Sequence, residues 1–404
     1  MNNVPPRLSP IRVGLIGCGL IGLRHLDAWR QVHEASTIPL KITSVCDTDP
    51  ARARAAADRV TEWQGSAPAV SDDPTDVFAG PVDGVDICLP VFLHERTAVD
   101  ALKAGKHVLV EKPITDTIEA ARRVLAAATD SGRVLALAEN HRRSPAIRVA
   151  RWLLTERQMI GAPVLVTMER SRFQEPTTAD WHWRARKATG GGGWAVDNAA
   201  HLFDTLQYFF GPVEAVTAHA RRVVDRPLRL PDGGSCVDER EDVLVAMLRF
   251  RSGVTGVFNN SSSLPGAERF HFAVQGTSGA LVDDGGQLFH APLPTAMLHR
   301  PGSEPAPVSA WTAEYLEHLD PVDRDVWFPY GLRDDFAIEC AEFLRAMAGH
   351  GTIEIDGEQA LRTLATSLAV YESALAGSTV LVDDVLSGRV RQFQETVPWR
   401  DGWK

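Results

Sequence analysis

An acid and an imidazole recur at helical spacing in the second half of the chain. Four consecutive glycines, Gly190–Gly193, favour a turn over a helix. A helix is predicted directly after them, over Trp194–Phe210. Asp197, His201 and Asp204 then share one face of that helix. A histidine that titrates near neutral pH, oriented by a carboxylate, suits proton transfer. The same spacing also fits a solvated polar stripe that only stabilises the helix start.

This spacing also bears on metal binding. An aspartate and a histidine one helical turn apart could supply two ligands, yet the sequence indicates no third one. A C-x-x-C pair would favour a zinc site or a redox motif. The five cysteines of this chain are scattered and form no such pair. We therefore expect no metal ion.

A second group of candidates follows the ends of predicted strands. The segment Glu111-Lys112-Pro113 follows the apolar run His107–Val110. A lysine at the carboxyl edge of a nucleotide-binding sheet could contact both the nicotinamide ribose and a substrate oxygen. A surface lysine at a turn is the alternative.

Polar and aromatic residues elsewhere could line a cleft. Asn140 and Arg142 lie at the junction of the two halves of the chain, although clustered arginines are usually solvated. In the segment 181–184, Trp181 and Trp183 could stack on a sugar face. An aromatic cluster in the core or at an interface explains this segment equally well.

A glycine-rich turn opens the chain. The apolar run Ile11–Ile16 leads directly into a G-x-G-x-x-G motif whose residues are Gly17, Cys18, Gly19, Leu20, Ile21 and Gly22. In this position, after a strand and before a helix, the motif permits a tight turn and close approach of the backbone to a pyrophosphate. A glycine turn in a ligand-free α/β domain is the alternative.

The next predicted strand points to the choice of cofactor. The run Ile42–Cys46 ends in Asp47, where a carboxylate could bond the ribose hydroxyls. A carboxylate would repel a 2′-phosphate, so we expect NAD as the cofactor and consider NADP less suitable. Arg52 and Arg54 lie nearby and weaken that preference.

The elements that must position these residues divide the chain near residue 138. Residues 1–138 alternate strands and helices, which is typical of a doubly wound parallel Rossmann sheet. Residues 139–404 contain longer strand-like runs and few helices. They predict an α/β domain with a large open, mostly antiparallel sheet. The late amphipathic helix 357–376 is able to pack back on the first domain, and we expect loops over Leu281–Asp325.

Composition narrows the partners. The chain has 404 residues, 44% of them hydrophobic, and a net charge of −10, which argues against nucleic acid as a partner. No apolar run approaches the roughly 18 residues that a membrane helix needs. The proline-rich start, Met1–Pro10, lacks the apolar core of a signal peptide. We therefore expect no membrane partner and a cytoplasmic protein.

Taken in order, these elements resemble the Gfo/Idh/MocA family, which includes glucose-fructose oxidoreductase and inositol dehydrogenase. The resemblance rests on the glycine turn, on Glu111-Lys112-Pro113, on the GGG-x-x-x-D-x-x-x-H pattern and on the late helix carrying Tyr371-Glu372-Ser373-Ala374. It implies a Rossmann domain followed by a domain whose open sheet supports oligomerisation, hence a homodimer or homotetramer.

The resemblance also implies roles for individual residues. Lys112 would hold and polarise the reacting oxygen, His201 would be the general base, and Asp197 would assist it. The segment around Pro90 would pass near the nicotinamide. The implied cofactor-binding residues are Gly17, Cys18, Gly19, Leu20, Ile21, Gly22, Asp47, Leu89, Pro90, His94, Glu111, Lys112 and Asn140. The implied substrate-binding residues are Lys112, Arg142, Trp183, Asp197 and His201.

Two positions depart from the pattern of the family. Val91 stands where the family usually has an asparagine, and Ala199 replaces a common glycine. The activity implied is reversible, NAD-dependent hydride transfer from a secondary hydroxyl of a sugar, anhydrosugar, glycoside or cyclitol. The alternatives are a redox-neutral NAD-dependent glycosidase and a non-catalytic dinucleotide-binding sensor, which would not need Lys112, Asp197 and His201 together.

Overall fold

The computed structural model describes residues 9–173, 182–230, 233–262, 266, 268–285, 293 and 295–397. Its first half is built on a parallel sheet. The strands are β1 (Ile11–Ile16), β2 (Leu40–Cys46), β3 (Ala69–Ser71), β4 (Gly84–Ile87), β5 (His107–Glu111) and β6 (Leu135–Ala138). The helices that connect them are α1 (Leu20–Ala35), α2 (Pro50–Gln64), α3 (Pro74–Ala79), α4 (His94–Lys103) and α5 (Ile118–Ser131).

The six strands lie in the order β3-β2-β1-β4-β5-β6, and every pair is parallel. The order reverses between β1 and β4, so their carboxyl ends border the crevice where doubly wound sheets bind ligands. Val13 and Leu15 of β1 and Trp29 of α1 are fully buried, because helices cover both faces of a parallel sheet. The predicted doubly wound Rossmann sheet is confirmed.

The second half is built on a nine-stranded mixed sheet. Its strands are β7 (Pro163–Ser171), β8 (Val213–Arg221), β11 (Val243–Phe250), β12 (Thr255–Ser261), β13 (Arg269–Gly276), β14 (Ala280–Asp283), β15 (Met297–His299), β16 (Ala306–Pro307) and β17 (Val380–Leu381). Between β8 and β11, β9 (Pro227–Arg229) and β10 (Ser235–Val237) form a separate hairpin. The large sheet has the order β16-β15-β14-β13-β7-β12-β11-β8-β17.

Among the described strands of the large sheet, only β7 and β12 pair in parallel, so the predicted mostly antiparallel sheet is also confirmed. Along β11 buried and exposed residues alternate, as expected for a sheet with one covered face. The remaining helices are α6 (Pro145–Thr155), α7 (Lys187–Gly190), α8 (Trp194–Asp197), α9 (Ala199–Phe210), α10 (Thr312–His318), α11 (Pro321–Trp327), α12 (Asp335–Met347), α13 (Gly357–Ala376) and α14 (Val382–Ser387).

Two local predictions were wrong. The predicted helix 194–210 is interrupted at Asn198, which separates α8 from α9. The stretch 281–325, predicted to be loops, contains α10 and most of α11 besides short strands. The side chain of Asp320 caps α11 by accepting from two backbone N–H groups, so a local capping signal was present there and was overlooked.

Late helices contact the first sheet. The helix α12 lies against α1, and α13 contacts α5 and β6 as well as β8. The backbone N–H of Leu137 in β6 donates to the carbonyl oxygen of Ile355, just before α13. The two halves of the chain therefore meet along the helices that flank β6.

Within the described part of the chain, none of the helices combines the length and the apolar character needed to cross a bilayer.

Candidate active site

A lysine–aspartate contact joins the two halves of the chain. Lys112 directly follows β5, and its Nζ donates to the backbone carbonyl oxygen of Asp197 at 2.6 Å. The same Nζ lies 3.5 Å from Asp197 Oδ1, and the two side chains are only 11% and 13% exposed. Residues 85 positions apart are thus brought together at the carboxyl edge of the parallel sheet.

Cations surround Asp197. Arg184 Nη1 lies 3.5 Å from Asp197 Oδ2, on the side away from the lysine contact. Burial alone would raise the pKa of Asp197, but the charges of Arg184, Lys112 and Arg240 outweigh it and lower that pKa. Asp197 is therefore an anion at neutral pH, and its charge holds the Lys112 ammonium in place.

His201, near the start of α9, has a different acid as its partner. Its Nδ1 lies 2.6 Å from Oε1 of Glu139, which directly follows β6 and is 1% exposed. The imidazole of His141 stacks on His201 at 3.9 Å between centroids. Burial, followed by the charge of Lys112, lowers the pKa of His201 well below its usual value. His201 is therefore a neutral imidazole at neutral pH.

Glu139 was not among the site residues predicted from the sequence. A signal existed, because an acid that directly follows the last parallel strand must lie at the same sheet edge as Lys112. The signal was weak, since only the tertiary structure shows that α9 crosses this edge.

Glu139, His141 and His201 offer ligand atoms within 4.8 Å of one another, a proximity that the sequence did not indicate. Their arrangement suits hydrogen bonding better than metal ligation. The two rings stack almost in parallel, 14° apart, whereas an imidazole binds a metal in its ring plane. One ion could not lie in both planes.

Asp204, the third member of the predicted face, pairs with an arginine. Its carboxylate accepts from Nε of Arg142 at 2.6 Å and from Nη2 at 2.5 Å, and both side chains are buried. Burial raises the pKa of Asp204 to about 6, although the charge of Arg142 opposes this rise. This ion pair fixes the position of Arg142, whose role in substrate binding stays a prediction.

The glycine turn is shaped for a ligand. Gly17 has a φ of +96°, and a Cβ at Gly22 would lie 1.9 Å from the Gly17 carbonyl oxygen. A Cβ at Gly19 would meet no described heavy atom within 4 Å, so the space beside it is open. No side chain caps α1, which begins at the 66% exposed Leu20. Backbone N–H groups at a helix start beside open space fit a pyrophosphate.

Asp47 bonds the backbone of this turn. Its Oδ2 accepts from the backbone N–H of Cys18 and its Oδ1 from that of Asp49, both at 2.8 Å. The acids Asp72 and Asp73 follow the neighbouring strand β3. The negative charge at this edge of the sheet disfavours a 2′-phosphate.

The side chains of two predicted cofactor residues, His94 and Glu111, bond the backbone. The ring nitrogens of His94 lie 2.7 and 2.9 Å from the carbonyl oxygens of Leu89 and Pro113. Glu111 accepts from the N–H of Lys112 at 2.9 Å. Leu89 and Pro90 themselves follow β4 and are half-buried. This bonding fixes the segment that carries Lys112 against the segment after β4.

The two remaining candidates lie at the periphery of the cluster. Asn140 donates to Asp335 Oδ2 at 2.7 Å, which ties β6 to the start of α12. The ring of Trp183 lies 4.9 Å from the Arg184 guanidinium and is half-buried. Trp181 lies outside the described residues.

Comparison with known proteins gives this geometry a family. A profile described as "Oxidoreductase family, NAD-binding Rossmann fold" matches residues 11–139, and the "GFO/IDH/MocA C-terminal domain" profile matches residues 148–282. The chain belongs to the Gfo/Idh/MocA family of oxidoreductases. It is thus an NAD(P)-dependent oxidoreductase, and its first sheet is an NAD-binding Rossmann fold.

Individual relatives cover three quarters or more of the chain. Levoglucosan dehydrogenase of Pseudarthrobacter phenanthrenivorans is 26% identical over 94% of this chain and 100% of its own length. The 1,5-anhydro-D-fructose reductase of Ensifer adhaerens is 29% identical over 75% of this chain and 80% of its own. A solved levoglucosan dehydrogenase, in complex with NADH and levoglucosan, superposes with a TM-score of 0.74. It covers 93% of this chain and 100% of its own at 24% identity, which shows the fold.

Proposed function

We propose that the chain is an NAD-dependent dehydrogenase that acts reversibly on a secondary hydroxyl of a sugar, anhydrosugar, glycoside or cyclitol. The observation that carries the proposal is Lys112 held against Asp197 next to His201, at the edge of the sheet where the glycine turn lies. The names of the relatives, a levoglucosan dehydrogenase and an anhydrofructose reductase, support a carbohydrate substrate.

Lys112 and His201 have different roles toward the substrate hydroxyl. An ammonium has three donors, and Asp197 faces two of them, so one can bond the substrate oxygen. His201, neutral through its lowered pKa, accepts the hydroxyl proton. Bound NAD supplies the hydride acceptor. Asp197 keeps Lys112 in place by charge.

The remaining predictions about organisation are part of the same proposal. The Rossmann domain would comprise residues 1–138 and the substrate and oligomerisation domain residues 139–404. Val245, Met247 and Val257 are 40–49% exposed on the sheet of the second half, which favours a homodimer or homotetramer. A cytoplasmic location stays a prediction.

The test is NADH formation at 340 nm with sugars, anhydrosugars, glycosides and inositols, and with NADP in parallel. Substitution Lys112→Met should lower the rate about 100-fold or more. The exposed Lys103 provides the control, since Lys103→Met should leave the rate unchanged. Free sugar released without net NADH would indicate the redox-neutral glycosidase, and NAD binding with neither reaction would indicate the sensor.

A further inference from the structure

We propose that Glu139 is the positioning residue of His201, a role that the sequence pattern assigns to Asp197. The inference rests on the proposed function, because it concerns the histidine that would take the substrate proton. No sequence motif marked Glu139, and only the structure brings it to the imidazole.

The backbone and side chain of Glu139 are both anchored. Arg143 Nη1 donates to the Glu139 carbonyl oxygen at 2.7 Å, and the N–H of His141 donates to Oε1 at 3.2 Å. Oε1 then lies 2.6 Å from His201 Nδ1, a short contact between side chains that are 1% and 13% exposed. When Nδ1–H donates to the carboxylate, Nε2 is the nitrogen left to accept a proton.

Asp197 is occupied elsewhere. Its two carboxylate oxygens each lie 3.5 Å from a cation, Lys112 on one side and Arg184 on the other. Asp197 is the last residue of α8, and Asn198 separates it from α9, which carries His201. The site thus uses one acid for the lysine and a second acid for the histidine.

The electrostatic surroundings decide the sign of the expected effect. The titratable and charged groups that act on Glu139 include His201, Lys112, His141, Arg142 and Asp204. Those that act on His201 also include Glu111, Asp197 and Arg184. Burial raises the pKa of Glu139 and lowers that of His201, so it disfavours the charged form of both side chains. A neutral side chain in place of the carboxylate would lower the pKa of His201 further.

The experiment compares Glu139→Gln and Glu139→Asp with wild type. We expect Glu139→Gln to lower kcat about 100-fold, with NAD affinity within twofold of wild type, and Glu139→Asp to recover part of the loss. The acidic limb of the oxidation profile should move to lower pH. Glu372→Gln is the control, because Glu372 is equally buried but bonds the backbone at Phe393.

A second readout needs no turnover. Nitrogen-15 spectra of histidine-labelled protein, with His201→Asn to assign the signal, report which ring nitrogen carries the proton. We expect protonated Nδ1 in wild type and a changed tautomer or lower pKa in Glu139→Gln. An unchanged signal with kcat within threefold of wild type would overturn the inference. If Glu139→Gln changes the His201 signal but the wild-type protein oxidises no substrate, the result would contradict the proposed function alone.

Discussion

Two glycines of the turn before α1 should respond in opposite ways to the same added methyl group. At Gly22 a Cβ would lie 1.9 Å from the backbone carbonyl oxygen of Gly17. Neither atom belongs to a flexible side chain, so α1 must move away from the turn by about 1 Å. Overpacking of this kind typically costs about 1–3 kcal/mol. Gly22→Ala should therefore destabilise the Rossmann half even without a cofactor.

Gly19→Ala should leave stability intact and weaken NAD binding. Its φ of −73° is one that alanine adopts readily, and the new Cβ would meet no described atom within 4 Å. The methyl group would instead occupy the space that we assign to the pyrophosphate. We expect NAD affinity to fall at least tenfold, which corresponds to about 1.4 kcal/mol.

Urea unfolding followed by tryptophan fluorescence measures the first effect, since Trp29 in α1 is fully buried. Titration of NADH fluorescence measures the second. We expect a lower urea midpoint for Gly22→Ala only. For Gly19→Ala we expect a raised Kd for NADH without a change in the urea midpoint. Wild-type NADH affinity in Gly19→Ala would refute the assignment of the phosphate site, and an unchanged midpoint in Gly22→Ala would refute the clash.

Three further predictions concern the cofactor, the base and the glycine segment. Wild type should prefer NAD to NADP, and Asp47→Ala should narrow the ratio of the two kcat/KM values; an unchanged ratio would place the discrimination elsewhere. Because the pKa of His201 is lowered, its neutral form persists below the usual histidine range. Oxidation should therefore stay near its plateau as pH falls from 8 to 6, and a decline centred near pH 6.5 in kcat would contradict this. The Tyr371 hydroxyl accepts from the N–H of Gly193 at 2.7 Å and donates to Glu241 at 2.9 Å. Tyr371→Phe should lower the free energy of unfolding by about 1–3 kcal/mol, because it leaves buried polar groups unpaired. An unchanged urea midpoint would show that these hydrogen bonds do not contribute to stability.

Strong local signals account for the parts of the fold that were predicted correctly. The strand before Gly17 is apolar apart from Arg12, and Asp49 and Pro50 begin α2 as expected from capping. Alternating strands and helices then leave few parallel topologies open. The helix over 194–210 was predicted as continuous because its residues favour helix throughout, and the break at Asn198 has no local signal that we recognised.

From the amino-acid sequence alone we could predict the fold class of each half, the position of the glycine turn and the location of Lys112 at the carboxyl edge of the first sheet. These follow from periodicity and from the rule that parallel strands end at one edge. The partners of Lys112, Asp197 and His201, in contrast, became visible only in the folded chain. Helical spacing suggested that Asp197 orients His201. In the structure Asp197 instead contacts Lys112, and Glu139 contacts His201. Contacts between residues 62 or 85 positions apart depend on how whole elements pack, which no local pattern encodes.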